Sequence, residues 1–231
     1  MSALSSTPFD GTHNGGTSDN GSNDTLFESI AQGLQTQGYA ITQAALPLTL
    51  TAGLLLRVSQ LPEYQFAVAG TGRQQEHQLN GFVRRDKIRW LNDEHPAEQA
   101  WLDFMGDLQR YMNRRLFLGL FSYECHFAHY QPGDFYRKHM DAFRGQSNRV
   151  LTTVLYLNPD WETQDGGELV MYRDDDHNEE LLRLVPRFGT LVTFLSEEFP
   201  HEVLPARRDR YSIAGWFRLN ASTNHRADPP R

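Results

Sequence analysis

The stretch Phe121–His129, FSYECHFAH, decides how the rest of the chain is read. Phe121, Tyr123, Cys125, Phe127 and His129 alternate with Ser122, Glu124, His126 and Ala128. Successive side chains of extended backbone point to opposite faces, so this period of two predicts a strand. Further strand-like runs follow at Arg149–Asn158, Glu168–Arg173, Leu181–Val185, Thr190–Ser196, Glu202–Pro205 and Tyr211–Leu219, separated by Gly, Pro and Asp clusters. Upstream the period changes. Leu26, Phe27, Ile30 and Leu34 recur at helical spacing after Asn23 and Asp24, which are capping residue types. Gly38 ends that helix, and Tyr39–Thr42 reads as a short strand. A second helix is expected over Leu48–Leu61. A third has Pro96 in its first turn and an apolar stripe of Trp101, Phe104, Leu108 and Met112, the pattern of core packing. Helices first, then about eight short strands, predict a mainly β chain: an antiparallel barrel or sandwich buttressed by helices on one side.

Composition bounds what this fold can do. The chain has 231 residues, 39% of them hydrophobic, which suffices for one sizeable core. Residues 1–25 are different: Ser, Gly, Thr, Asn and Asp fill 19 of these positions. Such a segment buries too little to offset its ordering entropy, so a disordered polar tail is expected there. A single domain over 26–219 and a flexible C-terminal tail over 220–231 complete the expected organisation. The net charge of −7 argues against binding nucleic acid through charge. Cys125 is the single cysteine, which excludes an internal disulfide and a multi-cysteine zinc site. The N-terminus has neither a basic start nor an apolar stretch. The most apolar region, Ala44–Val58, is interrupted by Pro47, Thr49 and Thr51. No membrane association is expected, and the protein reads as soluble and cytoplasmic.

Three residues stand out as candidate metal ligands: His139, Asp141 and His201. On a strand, positions i and i+2 share a face, so the first two could meet one ion. His201 lies 62 residues later, after Pro200 and at the start of another expected strand. Two imidazoles and one carboxylate occupy one face of an octahedral ion and leave the other open, which suits a non-haem Fe(II) oxygenase. Arg210 leads into the strand RYSIAGWF. A buried arginine needs an anionic partner, and its planar fork suits a carboxylate; by itself, a structural ion pair would explain it equally. Tyr156, within VLTTVLYLN, could donate a hydroxyl to the same carboxylate or be a core tyrosine.

YQPGDFYRKHMD, LYLNPDW, DGGEL and PHEVLPARRDRYSIAGWF, together with RRDKIRWL at Arg84–Leu91, resemble the 2-oxoglutarate and Fe(II)-dependent prolyl 4-hydroxylases. The likeness runs from about Leu26 to Leu219. It is greatest to the hypoxia-inducible-factor prolyl hydroxylases, and within them to the bacterial branch whose protein substrate is elongation factor Tu. The resemblance implies a double-stranded β-helix (jelly-roll) core with supporting helices. It implies that His139, Asp141 and His201 ligate iron. Arg210 would pair with the far carboxylate of 2-oxoglutarate with Tyr156 assisting, and Tyr130 would lie near its metal-bound end. Tyr136 would line the pocket near the substrate proline, and Trp216 would pack on that ring. Arg84, Asp86 and Trp90 match a mobile substrate-covering loop and its root, and Arg149 matches a residue facing the substrate. The implied reaction consumes O2 and 2-oxoglutarate, yields succinate and CO2, and hydroxylates C4 of a prolyl residue; ascorbate can serve such enzymes as an auxiliary reductant.

The departures are local. A zinc-binding N-terminal module of some animal relatives is absent, and Ala214 stands where those enzymes carry threonine. Three alternatives stay open. One is the same chemistry on another peptide, a free amino acid or a nucleobase; another is a non-catalytic barrel that binds a small acid or a partner protein; the third is a zinc hydrolase, for which no general base can be named. His77, His95, His126 and His129 read as surface or packing histidines. Asp174–Asp176, with Glu179 and Glu180, reads as a solvated hairpin turn.

Overall fold

The computed structural model describes residues 20–69, 82–142, 147–173 and 178–221. The three apolar stripes become α1 (Asn20–Gln37), α2 (Leu48–Ser59) and α3 (Pro96–Leu116). α1 starts inside the segment expected to be a polar tail, so Asn23 and Asp24 lie within the helix instead of capping it. Once a downstream apolar face nucleates a helix, adding a polar turn costs little. α2 stops at Ser59, two residues before the expected Leu61, where Pro62 disfavours helix for the residue before it. Pro96 opens α3, and His95 caps it: the ring nitrogen accepts the Ala97 N–H at 3.2 Å. Glu98, buried in the first turn of α3, pairs with Arg57 of α2 at 2.7 Å and with Arg89. That two-armed pairing keeps a fully buried carboxylate from being left uncompensated.

The described residues form eleven strands, of which eight follow the expected runs and three short ones are additions. They are β1 (Tyr39–Thr42), β2 (Ala67–Val68), β3 (Lys87–Trp90), β4 (Ser122–Tyr130), β5 (Tyr136–His139), β6 (Arg149–Tyr156), β7 (Leu169–Tyr172), β8 (Glu180–Leu184), β9 (Leu191–Leu195), β10 (His201–Val203) and β11 (Arg210–Arg218). The additions are β2, β3 and β5, at most four residues long and too short for a period to stand out. A seven-stranded sheet has the order β1-β9-β6-β11-β4-β3-β2, and a four-stranded sheet the order β5-β10-β7-β8. Every pairing is antiparallel. Two facing antiparallel sheets with helices outside one of them form the expected jelly-roll core. No helix among the described residues is long and apolar enough to cross a membrane. The expected turn at Asp174–Asp176 lies outside the described residues, as does His77, but the strands flanking that turn, β7 and β8, pair as a hairpin.

Register decides what each face of the large sheet carries. Tyr123, Cys125 and Phe127 of β4, Leu151 and Leu155 of β6, Leu191 of β9, and Ile213 and Phe217 of β11 pack with α1, α2 and α3 in the main core. Gly215 sits among them because a Cβ there would run into the Tyr123 hydroxyl, which instead meets Thr153 Oγ1 at 2.8 Å. The alternate positions form the inner face, towards the small sheet. Ladder pairing sets Tyr156, Ser212, Ala128 and Ile88 in one row. The next row is Val192, Val154, Ala214, His126 and Trp90, and the third is Phe194, Thr152, Trp216 and Glu124. Tyr156, Val192 and Phe194 of this face cluster with Leu169, Met171 and Phe199 from the small-sheet side, closing the two layers on each other.

Candidate active site

His139 of β5 and His201 of β10 are paired across the small sheet. Cross-strand partners project on one face, so the two rings come together, with centroids 4.3 Å apart. Each Nδ1 lies against a backbone carbonyl: Arg137 O at 2.8 Å for His139 and Phe199 O at 2.9 Å for His201. A carbonyl only accepts, so each Nδ1 carries the proton and each Nε2 keeps its lone pair. Those lone pairs meet at Asp141, whose Oδ1 is 3.8 Å from His139 Nε2 and whose Oδ2 is 3.6 Å from His201 Nε2. These separations exceed a hydrogen bond, so the carboxylate is not spent on either ring. The three donor atoms lie within 4.8 Å of one another. Burial pushes the His139 ring down to about 3, and the two imidazoles hold Asp141 down at about 2 against the opposing effect of burial. The ring is neutral and the acid ionised at neutral pH, the states in which each can bind a cation. One expectation needs correcting: β5 ends at His139, so Asp141 lies in the bend beyond the strand and does not share it.

Arg210 is 1% exposed, and among the described residues no carboxylate pairs with it. Its Nε donates to Gly167 O at 2.9 Å, and Nη1 is 3.5 Å from Ser212 Oγ. The rings of Tyr130 and Tyr156 flank the guanidinium, with centroids 4.9 and 5.1 Å from Cζ. Among the described residues the buried Tyr156 hydroxyl has no hydrogen-bond partner. Burial pushes Tyr156 up to about 12, although the Arg210 charge opposes the shift, and it pushes Tyr130 well above the usual range; both stay protonated donors. A buried cation without an acid, beside an unused hydroxyl donor, is costly unless an anion completes it. A dicarboxylate is one anion of the right charge. The DGGEL motif makes the cradle possible: Gly167 has φ +67°, and a Cβ there would lie 2.9 Å from Arg210 Cδ.

The remaining resemblance residues line the ground around the triad. The Tyr136 ring stacks on His139 at 3.5 Å, and Arg84 lies over the Tyr136 ring at 4.3 Å. Arg84 makes two hydrogen bonds to Asp86, at 2.8 and 2.6 Å, and both residues are buried. They therefore form an anchored root, while residues 70–81 lie outside the described residues. Arg149 stacks over Trp216 at 3.7 Å and is held by Glu124 at 2.9 and 3.2 Å. Trp90 is 44% exposed and farther out, its ring 5.2 Å from that of His126.

Three residues escaped the sequence reading. Glu124 fixes Arg149 and Arg218. Thr152 donates to Asp141 Oδ2 at 2.7 Å. Gly167 admits Arg210. His126, read as a surface or packing histidine, does pack: it is buried on the inner face between Trp90 and Trp216. The alternation of FSYECHFAH carried that signal, since His126 shares its face with Ala128 and Tyr130. His95 and His129 do behave as expected: one caps α3, and the other pairs with Asp209 at 2.7 Å.

The donor set fits Fe(II), since two imidazoles and one carboxylate leave half an octahedron for a chelating cosubstrate and O2. Comparison with known proteins agrees. A family model described as the 2OG-Fe(II) oxygenase superfamily matches residues 125–218, which include the triad and Arg210. Human Egl nine homolog 1 is 31% identical over 147 residues, 58% of this chain and 33% of that protein. The chain thus spans about a third of the length of this curated relative. A crystal structure of a Pseudomonas putida prolyl-4-hydroxylase is 38% identical with a TM-score of 0.75, covering 85% of this chain and 100% of that one. A Trichoplax adhaerens prolyl hydroxylase, solved in complex with a hypoxia inducible factor oxygen degradation domain peptide fragment, is 28% identical with a TM-score of 0.73, covering 85% and 90%. With a whole solved relative matched at this level, and with the buried arginine and the three donors in the matched segment, the chain belongs to the 2OG-Fe(II) oxygenase superfamily, whose members use Fe(II), 2-oxoglutarate and O2.

Proposed function

We propose that the protein is a prolyl 4-hydroxylase acting on a protein substrate, with elongation factor Tu as the target. The observation that carries the reaction is the likeness to the Pseudomonas putida prolyl-4-hydroxylase over that chain's full length. Elongation factor Tu enters through the sequence resemblance to the bacterial branch. His139, Asp141 and His201 hold Fe(II), which, when bound with 2-oxoglutarate, couples its oxidative decarboxylation to C–H hydroxylation. Arg210 grips the far carboxylate of the cosubstrate as a planar fork, and Tyr156 adds its unused hydroxyl. Tyr130 closes the other side of that pocket. These residues would hold the far carboxylate of the diacid and leave its 2-oxo acid end to chelate the iron.

Tyr136, packed on His139, and Trp216, beneath Arg149, form the walls that orient the proline ring. A flat aromatic wall selects the prolyl ring by shape and excludes water from the reacting carbon. Arg149, braced by Glu124, faces the substrate backbone, while Arg84 and Asp86 anchor the approach and Trp90 extends it outward. No side chain is asked to move a proton. Incubating purified protein with elongation factor Tu, Fe(II), 2-oxoglutarate and O2 and mapping the product by mass spectrometry tests the proposal. One added oxygen on a prolyl residue is expected. Succinate formed without any modified proline would leave the oxygenase chemistry and remove this substrate.

A further inference from the structure

The ladder that sets His139 opposite His201 stops before Asp141, so something else must orient the carboxylate. Thr152 on β6 reaches across from the large sheet, with Oγ1 2.7 Å from Asp141 Oδ2. Ser196, just beyond β9, lies with Oγ 2.9 Å from the same Thr152 oxygen. Both residues are buried. The proton directions follow from valence. An ionised carboxylate only accepts, so the single Thr152 proton goes to Asp141. Ser196 must then donate to Thr152, and the hydroxyls form a one-way chain from Ser196 through Thr152 to Asp141. Ser196 is itself fixed by its backbone N–H on Val150 O at 2.9 Å. A β-branched residue at this strand position needs no hydroxyl to pack, since valine has the same shape.

We infer that Thr152, backed by Ser196, is a positioning residue for the metal: it holds the Asp141 carboxylate so that Oδ1 is left to the ion. The inference rests on His139, Asp141 and His201 being the ligands. It ties the two sheets together at the ion, because the two imidazoles come from the small sheet while the brace on the acid comes from the large one. Partners of this kind orient a ligand and typically contribute about 10–100-fold in metal affinity.

The test titrates the metal-free protein with Mn(II) alone and reads bound ion by electron paramagnetic resonance, with thermal melting of the apo forms as a fold control. Thr152→Val is expected to weaken Mn(II) binding by about 10–100-fold with little change in melting. Thr152→Ser, which keeps the donor, is expected to bind close to the unaltered protein. Ser196→Ala is expected to weaken binding less than Thr152→Val, because Thr152 still donates but is no longer held; it also serves if Thr152→Val does not fold. Unchanged Mn(II) affinity in folded Thr152→Val, or in Ser196→Ala where that variant stands in, overturns the inference while leaving the ligand assignment intact. Absence of Mn(II) binding by the unaltered protein overturns the ligand assignment and the inference with it.

Discussion

The two faces of the large sheet are built from the same strands and do opposite work. Along β4, β6, β9 and β11, odd-numbered positions such as Phe127, Leu151, Leu155, Ile213 and Phe217 bury hydrocarbon against the helices. Even-numbered positions carry Glu124, His126, Tyr130, Thr152, Tyr156, Arg210, Ser212 and Trp216 towards the small sheet. The outer face contributes stability through packing. The inner face gives some of that up: among the described residues its buried arginine has no acid, and the Tyr156 hydroxyl and Trp216 Nε1 have no hydrogen-bond partner. A face with so much unmet polar capacity is built to be completed by ligands. Stability and chemistry are therefore separated by one side chain's parity on each strand.

Substitutions on the two faces should accordingly fail in different ways. The largest effect is expected from His139→Ala, which removes one of three ligands and should abolish Fe(II)-dependent succinate formation while leaving the protein folded; normal turnover would break the inner-face reading. Next is Arg210→Lys, which replaces a fork with a point charge. Its apparent requirement for 2-oxoglutarate should rise about tenfold or more at near-unchanged saturating turnover, measured by cosubstrate titration. On the outer face, Leu151→Ala should cost about 2–5 kcal/mol in denaturant unfolding and leave the cosubstrate requirement of the folded protein unchanged. A shifted cosubstrate requirement there would blur the division of the faces.

The smallest effect concerns acid. Burial, assisted by the Arg84 charge, holds His126 down at about 4 against an ordinary value of 6.5. The unfolded chain therefore takes up a proton between pH 6.5 and 4 that the folded one refuses, so stability falls as pH falls through that window. At most about 3 kcal/mol is at stake for this one ring. His126→Leu should flatten the fall in unfolding free energy of the metal-free protein, leaving the share due to His139. An unaltered slope would mean that His126 is solvated in the folded state.

Much of this division was legible beforehand. The alternation in FSYECHFAH gave β4 and its two faces, and the apolar stripes gave three helices. Motif likeness picked out His139, Asp141 and His201, whose donor atoms lie within 4.8 Å of one another, Tyr136, which stacks on His139, and Arg210 with Tyr130 and Tyr156 on either side of it. β2 and β5 escaped because a two-residue strand and a largely charged one carry no period; β3 does alternate, but four residues are too few to mark a strand. Glu124 and Thr152 escaped for another reason. Their roles come from cross-strand register: Thr152 stands opposite Trp216 and beneath Asp141, neighbours that no local spacing reveals. Gly167 was visible as part of DGGEL, but its reason, the close passage of Arg210, exists only in three dimensions.

The most direct test of the centre is an anaerobic titration of the unaltered protein and of Asp141→Ala with Fe(II) and 2-oxoglutarate, followed by the visible charge-transfer absorption of a chelated 2-oxo acid. The unaltered protein should develop that absorption only when both are present, and Asp141→Ala should not. Its absence from the unaltered protein, or equal intensity in both, would contradict a metal centre made of His139, Asp141 and His201.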